Sequence, residues 1–405
     1  MKVAIVGGGI AGLAFALALH QRGIDCTVLE GVREIKPLGV GITLLPHAMR
    51  ELSALGLQPQ LEAQAIENLD SRFFTRHGQF VHSELRGRHA GYAQPELGIH
   101  RGVLHRVLWD AAVQRLGAER VRSGARCTSV VQDAQGVSVQ LDNGQSLRAD
   151  VAVACDGVNS AVRRQLVAGD ALAFTDINTW RGTTVHPPIL GGRSYLRIGT
   201  LEVGKIVVYP IADKVNERGD QLINWTTEVR QQGAPMNDWN APGRAEDAAR
   251  SLADWRFDWL DVPRLIAGAE RVFEYPMVDR DPLLQWTFGR VTLMGDAAHP
   301  MYPRGSNGAA QGLIDARVLA DRLTRQPQDP VAALHAYEAE RRPATSAVVL
   351  ANRSTPPDFI LQRVEQLTAG QPFGHIDNVI SPEELRAISE RYKQIAGFAL
   401  PAATP

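Results

Sequence analysis

The chain has 405 residues, of which 44% are hydrophobic and 21% charged, and its formal net charge is −1. So even a charge balance argues against a nucleic-acid partner held by a basic surface. The length favours two lobes, or one domain with a substantial insertion, over a single core.

Charged or polar residues interrupt every apolar run before it reaches membrane-spanning length, so no membrane span is expected. The N-terminus reads as a strand, with no removable leader. Cys26, Cys127 and Cys155 are far apart and form no C-x-x-C pair, which suits reduced core residues of a cytoplasmic protein. The eleven histidines make no ligand-like cluster, so no metal is expected.

Lys2 to Val6 is a short β-branched run, read as a buried parallel strand. Gly7-Gly8-Gly9-Ile10-Ala11-Gly12 follows, with Gly7, Gly9 and Gly12 in G-x-G-x-x-G spacing. Leu13 to Gln21 continues at helical period, Gly23 closes the helix, and Cys26 to Leu29 reads as a second strand ending in Glu30. These parts make a dinucleotide-binding unit. Gly7 permits the tight turn, Gly9 admits a pyrophosphate, and Gly12 allows close helix packing. Ile10 and Ala11 stand at the helix start, where free N–H groups face the phosphates, and Glu30 can accept the ribose hydroxyls.

Glu34 to Gly41 has loop composition, and Pro46 to Leu55 reads as a helix ended by Gly56. Phe73-Phe74 and Phe80-Val81 read as a hairpin across His77-Gly78. A helix opens at Arg101 and runs to about Leu116. Cys127 to Val131 and Val137 to Leu141 alternate around an Asn143-Gly144 turn, giving an antiparallel meander. Val151 to Ala154 is another buried strand, ending in Cys155-Asp156-Gly157.

Between Trp180 and Met277 short period-two segments dominate, namely Tyr195 to Ile198, Lys205 to Pro210 and Leu222 to Val229, and they suggest an antiparallel sheet. A helix is expected over Asp247 to Trp255. Val291 to Met294 is a strand running into Gly295-Asp296, and Gly308 to Leu323 and Ala332 to Arg342 are amphipathic helices. Beyond Pro356-Pro357 lies a helical, proline-flanked tail of no readable chemistry.

Three stretches together resemble the signatures of the single-component flavoprotein aromatic hydroxylases. They are the glycine fingerprint, Asp156-Gly157 with Arg163 downstream, and Gly295-Asp296 followed by Pro303-Arg304-Gly305-Ser306-Asn307-Gly308-Ala309, with Asp315 further along the helix. The resemblance covers roughly residues 1 to 350. Segments around Glu34–Gly41, Trp180–Gly182 and Tyr275–Pro282 are similar to the branch of that family that modifies phenazines.

The resemblance implies an α/β (α+β) architecture. A Rossmann-like FAD-binding domain (1–70, 98–179 and 280–350) would carry an inserted antiparallel-sheet substrate domain (71–97 and 180–279) and a helical tail over 351–405. It also implies tightly but non-covalently bound FAD, with NAD(P)H as a transient co-substrate. O2 would be activated as a C4a-hydroperoxyflavin to hydroxylate a planar aromatic, such as a phenazine or another aromatic carboxylate. Asp296 would hold a ribityl hydroxyl, and Gly308 and Ala309 would turn N–H groups toward the flavin N1–C2=O edge. Asp156 would stand between flavin and nicotinamide, and Arg101 near the pyrophosphate or ribityl chain. His105 occupies a position where many relatives have glutamine, so that contact stays open. Tyr195, Tyr209 and Trp225 are candidate pocket walls, and Arg304 a partner for a substrate carboxylate. No catalytic base is assigned; His47 and Arg304 read as polar loop residues. An epoxidase or Baeyer–Villiger-type oxygenase on the same scaffold, or a flavin-binding redox sensor without turnover, remain alternatives.

Overall fold

The computed structural model describes residues 1–35, 39–230 and 241–400. A six-stranded sheet runs in the order Thr287–Phe288, Val291–Leu293, Val151–Ala154, Lys2–Val6, Asp25–Leu29, Val121–Arg122. All its pairings are parallel except the edge hairpin that joins Thr287–Phe288 to Val291–Leu293. The central strand is an apolar run because it is covered on both faces: Val3, Ala4, Ile5 and Val6 are all buried. Helices Ile10–Gln21 and Gly308–Arg325 pack together over this sheet. A three-stranded antiparallel meander, Cys127–Gln132, Val137–Leu141 and Ser146–Ala149, forms as the alternation suggests.

A second, eight-stranded sheet runs Ala241–Pro242, Val272–Asp279, Ala173–His186, Gln221–Arg230, Gly204–Ala212, Ser194–Thr200, Asp70–Phe74, Phe80–Leu85. It is antiparallel except where Ser194–Thr200 pairs in parallel with Asp70–Phe74. That joint adds the Phe73/Phe80 hairpin to the sheet as its last two strands. One face carries a compact core with Trp180, Trp225, Trp255, Leu196 and Val208. The other face carries a smaller cluster of Tyr195, Val207, Tyr209 and Ile211.

Two elements differ from the sequence reading. The expected helix over Asp247 to Trp255 is a short helix, Ala245–Ala249, followed by a 3-10 turn, Arg250–Leu252. The turn leaves Leu252 buried on the Trp180–Trp225 core. The helix expected to stop at Arg342 runs from Pro330 to Ser354, straight through Pro343. Its buried stripe of Tyr337, Arg341, Thr345, Val348 and Asn352 continues at helical period, so packing outweighs the proline. Part of the loop read over Glu34 to Gly41, residues 36–38, lies outside the described residues. Among the described residues no helix is long and apolar enough to cross a membrane.

Candidate active site

The glycine fingerprint folds as its spacing demands. Gly7 has φ +104°, a left-handed value that a side chain disfavours, and a Cβ there would lie 2.4 Å from the Cys155 carbonyl oxygen. A Cβ on Gly12 would lie 2.1 Å from the Gly7 oxygen, so the helix sits directly on the turn. Around Gly9 nothing stands within 4 Å of such a Cβ, which leaves open space at the helix start. Ile10 and Ala11 begin that helix. Glu30 closes the loop from the second strand: one carboxylate oxygen accepts from Gly8 N at 2.7 Å and the other from Val32 N at 2.7 Å.

The two later motifs converge on this turn. Asp156 directly follows Cys155, which packs on Gly7 and Gly12. Its Oδ2 accepts from Ala161 N at 2.8 Å and so caps helix Ala161–Leu166, while its buried Oδ1 has no hydrogen-bond partner. Burial raises its pKa. Gly295 lies against Ala11, and Asp296 is exposed beside the start of helix Gly308–Arg325, its Oδ1 3.9 Å from where a Gly308 Cβ would be. Arg163 is the strut between the second and third motifs. Buried to 1%, it donates to the carbonyls of Ala297 and Ala298 at 3.0 Å each and pairs with Asp170 at 2.6 Å.

Asp315, fully buried, accepts from Gly295 N at 3.2 Å, meets His299 Nε2 at 2.5 Å, and pairs with Arg341 at 2.7 Å. The contacts with His299 and Arg341 hold its carboxyl at about 2 despite burial. His105 reaches Gly8: its Nε2 lies 2.6 Å from the Gly8 carbonyl oxygen, so the histidine grips the fingerprint loop itself. Arg101 is exposed at the first position of helix Arg101–Leu116, with its backbone N–H held by the Val40 carbonyl at 2.9 Å.

The residues read as pocket walls separate into two faces. Val208 pairs with Trp225, and Tyr209 with Asn224, so alternation sets Tyr209 and Trp225 on opposite sides of the sheet. Trp225 faces away from Tyr209: it is fully buried in the tryptophan core and donates to Thr184 Oγ1 at 3.0 Å. Tyr195 and Tyr209 share the other face and stack at 4.8 Å, 13° from parallel.

Tyr195 lines a cleft together with Phe73, Glu84, Arg86, Glu96 and Arg197 of the sheet side, the Gly305-Ser306 turn, and Tyr392, Lys393 and Phe398 of the tail. The tail that showed no chemistry in the sequence is one wall of this cleft. Arg304 is not part of the wall. Its guanidinium is buried 3.9 Å from Glu228, in a cluster where Lys205 bridges Glu228 at 2.9 Å and Asp358 at 2.7 Å.

Arg197 escaped the sequence reading, although Tyr195-Leu196-Arg197 alternates and sets Arg197 on the same face as Tyr195. Its guanidinium lies 4.3 Å from the Tyr195 ring centroid and 5.1 Å from that of Phe73, and it donates to Ser71 Oγ. Two other cations line the cleft, and each has a carboxylate: Arg86 lies 3.7 Å from Glu96, and Lys393 3.6 Å from Glu84. Arg197, 5% exposed, has none within ion-pair distance among the described residues, and burial pulls its pKa down.

The geometry suits FAD. Gly9 leaves open space at the helix start, Asp156 has a carboxylate oxygen without a hydrogen-bond partner, and Asp296 is exposed, and each follows the end of a parallel strand. A model of the FAD binding domain family matches residues 1–352. The phenazine 1,6-dicarboxylic acid hydroxylase of Lysobacter antibioticus is 42% identical over 362 residues, covering 87% of this chain and 89% of that protein. A 3-amino-4-hydroxybenzoate 2-monooxygenase of Streptomyces platensis is 35% identical, covering 89% of each. Among solved structures, Klebsiella pneumoniae HpxO in complex with FAD and uric acid superposes with a TM-score of 0.76 at 26% identity, covering 98% of this chain and 96% of that one.

Proposed function

The chain belongs to the FAD binding domain family, as an FAD-dependent aromatic monooxygenase, and we propose that its substrate is a planar aromatic carboxylate of the phenazine carboxylate class. NAD(P)H and O2 are its co-substrates in this reading. The observation that carries the substrate assignment is Arg197: a buried guanidinium with no carboxylate in ion-pair distance among the described residues, lining the cleft beside the Gly305-Ser306 turn. A buried cation without a direct ion-pair partner is costly, and an anionic ligand would offset that cost. The two relatives agree in chemistry, since phenazine 1,6-dicarboxylic acid and 3-amino-4-hydroxybenzoate are both aromatic acids.

FAD would be held by the Gly7–Gly12 turn, Glu30, Asp156, Asp296 and the start of helix Gly308–Arg325, with Arg101 at the rim. Bound there, it supplies electron transfer from NAD(P)H and the activation of O2. The chain's own residues do the rest. Arg197 anchors the carboxylate with a planar two-pronged donor set, and the Tyr195 and Phe73 rings back its guanidinium and hold it in place. Phe398 and Tyr392 close the outer wall, which excludes water from the reacting atoms. The three buried, unpaired cysteines fit a reducing compartment such as the cytoplasm.

The test compares phenazine-1-carboxylate with phenazine-1-carboxamide. The acid should stimulate NAD(P)H oxidation and the amide should not. Arg197→Gln should raise KM for the acid by about 10–100-fold, as expected when a charged hydrogen-bond partner worth about 1.5–3 kcal/mol is lost. Equal stimulation by acid and amide would refute the anchor.

A further inference from the structure

Around the turn Tyr302–Asn307, the hydrogen bonds have only one consistent direction. Asn307 Nδ2 donates to the Gly305 carbonyl at 3.0 Å, which fixes which side-chain atom is nitrogen. The same Nδ2 donates to Tyr392 Oη at 2.9 Å. Tyr392 passes its own O–H to Asn352 Oδ1 at 2.7 Å, and Asn352 Nδ2 donates to the Tyr302 carbonyl at 3.0 Å. At the other end Asn307 Oδ1 must accept, so the His47 Nε2 that lies 2.9 Å away carries the proton. Burial pulls the His47 pKa down to about 4, which keeps the ring neutral and this polarity fixed at working pH.

One chain of hydrogen bonds therefore ties the entry of the turn, at Tyr302, to its exit, at Asn307. Its middle link is a tail residue 85 positions away from Asn307. Contact is tight. A Cβ on Gly305 would lie 1.5 Å from Tyr392 Oη, so the phenol fills the space behind the turn. Tyr392 is 3% exposed, and among the described residues its hydroxyl has no partner besides these two asparagines.

We propose that Tyr392 is a positioning residue for the cofactor, setting through Asn307 the orientation of the Gly305–Asn307 turn toward the pyrimidine edge of FAD. This makes the C-terminal helix Pro382–Ile395 a working part of the cofactor site. The inference rests on the reading that this turn and the following helix start face the flavin.

The experiment titrates FAD into apoprotein of wild type, Tyr392→Phe, Asn307→Ala and the double variant, and measures the midpoint potential of each loaded protein. Tyr392→Phe should weaken FAD binding about tenfold and make the flavin harder to reduce, because the N–H groups facing its developing charge lose their alignment. The double variant should be no weaker than Asn307→Ala alone, since Tyr392 acts through Asn307. Should Tyr392→Phe fail to fold, Asn352→Ala breaks the same chain one link earlier and should give the same direction of change. A merely structural role would lower the melting temperature of the apoprotein while FAD affinity stayed within twofold and the potential stayed put. That result, or effects of the two substitutions that multiply, overturns the proposal while wild-type binding of FAD still stands. A wild-type chain that takes up no FAD would instead remove the cofactor reading on which it rests.

Discussion

Asp315→Asn should cost more than its size suggests. Asp315 is fully buried between His299, Arg341 and the Gly295 amide. Asparagine keeps the shape and one acceptor but removes the charge, leaving the buried Arg341 without an anion. Breaking a buried pair in this way costs about 3–5 kcal/mol. Unfolding entropy of roughly 2.1 cal/mol/K per residue amounts to roughly 0.9 kcal/mol per degree for a chain of this length. The apoprotein should therefore melt about 4–6 °C lower, as read by circular dichroism.

The pH dependence gives the sign independently. The Asp315 carboxyl sits at about 2 in the folded chain, against about 3.9 when unfolded. Its contribution is thus complete above about pH 4 and is lost as the pH falls toward 2. The gap between wild type and Asp315→Asn should be constant from pH 5 to 8 and close below pH 4. Equal melting temperatures at pH 7, or a gap that widens on acidification, would refute the reasoning.

Glu30→Ala frees the amides of Gly8 and Val32 and removes the proposed ribose acceptor. FAD affinity, followed by fluorescence quenching, should fall by about 1.5–3 kcal/mol; unchanged affinity would exclude a cofactor role. Asp296→Ala should behave differently, because Asp296 is exposed. The apoprotein melting temperature should stay within about 1 °C, while FAD affinity falls about tenfold by loss of a hydroxyl contact. A stability loss without an affinity loss would make Asp296 a structural residue.

The fingerprint was legible because its determinants are local: a buried strand, three glycines with distinct steric duties, and an acid at the next strand end all lie within thirty residues. The sheet was legible as strands but not as faces. Tyr209 and Trp225 look alike as aromatic residues on alternating strands, and only the pairing of Tyr209 with Asn224 shows that they point apart. Pairing register is set between distant segments, so no window of sequence contains it. Arg197 was within reach, since its two-residue offset from Tyr195 sets both on one face. What made it chemically distinctive, the lack of a carboxylate beside a buried guanidinium, exists only once Glu84, Glu96 and Lys393 have been brought around it.

Tyr392 was beyond reach. A tyrosine on a polar helix signals nothing until the tail folds back across the Tyr302–Asn307 turn. Arg304 reads as a partner for a substrate carboxylate from its place beside that turn, but chain neighbourhood does not disclose that Glu228 and Asp358 stand in the same buried cluster.

Oxygen transfer to an aromatic acid can be measured directly. The FAD-loaded enzyme is given NAD(P)H, phenazine-1-carboxylate and isotopically labelled O2, and products are resolved by mass spectrometry. The account predicts acid-stimulated NAD(P)H oxidation and a product carrying one labelled oxygen atom. NAD(P)H oxidation that ignores the acid, with no labelled product from it or from benzoate, salicylate and quinoline acids, would contradict the account.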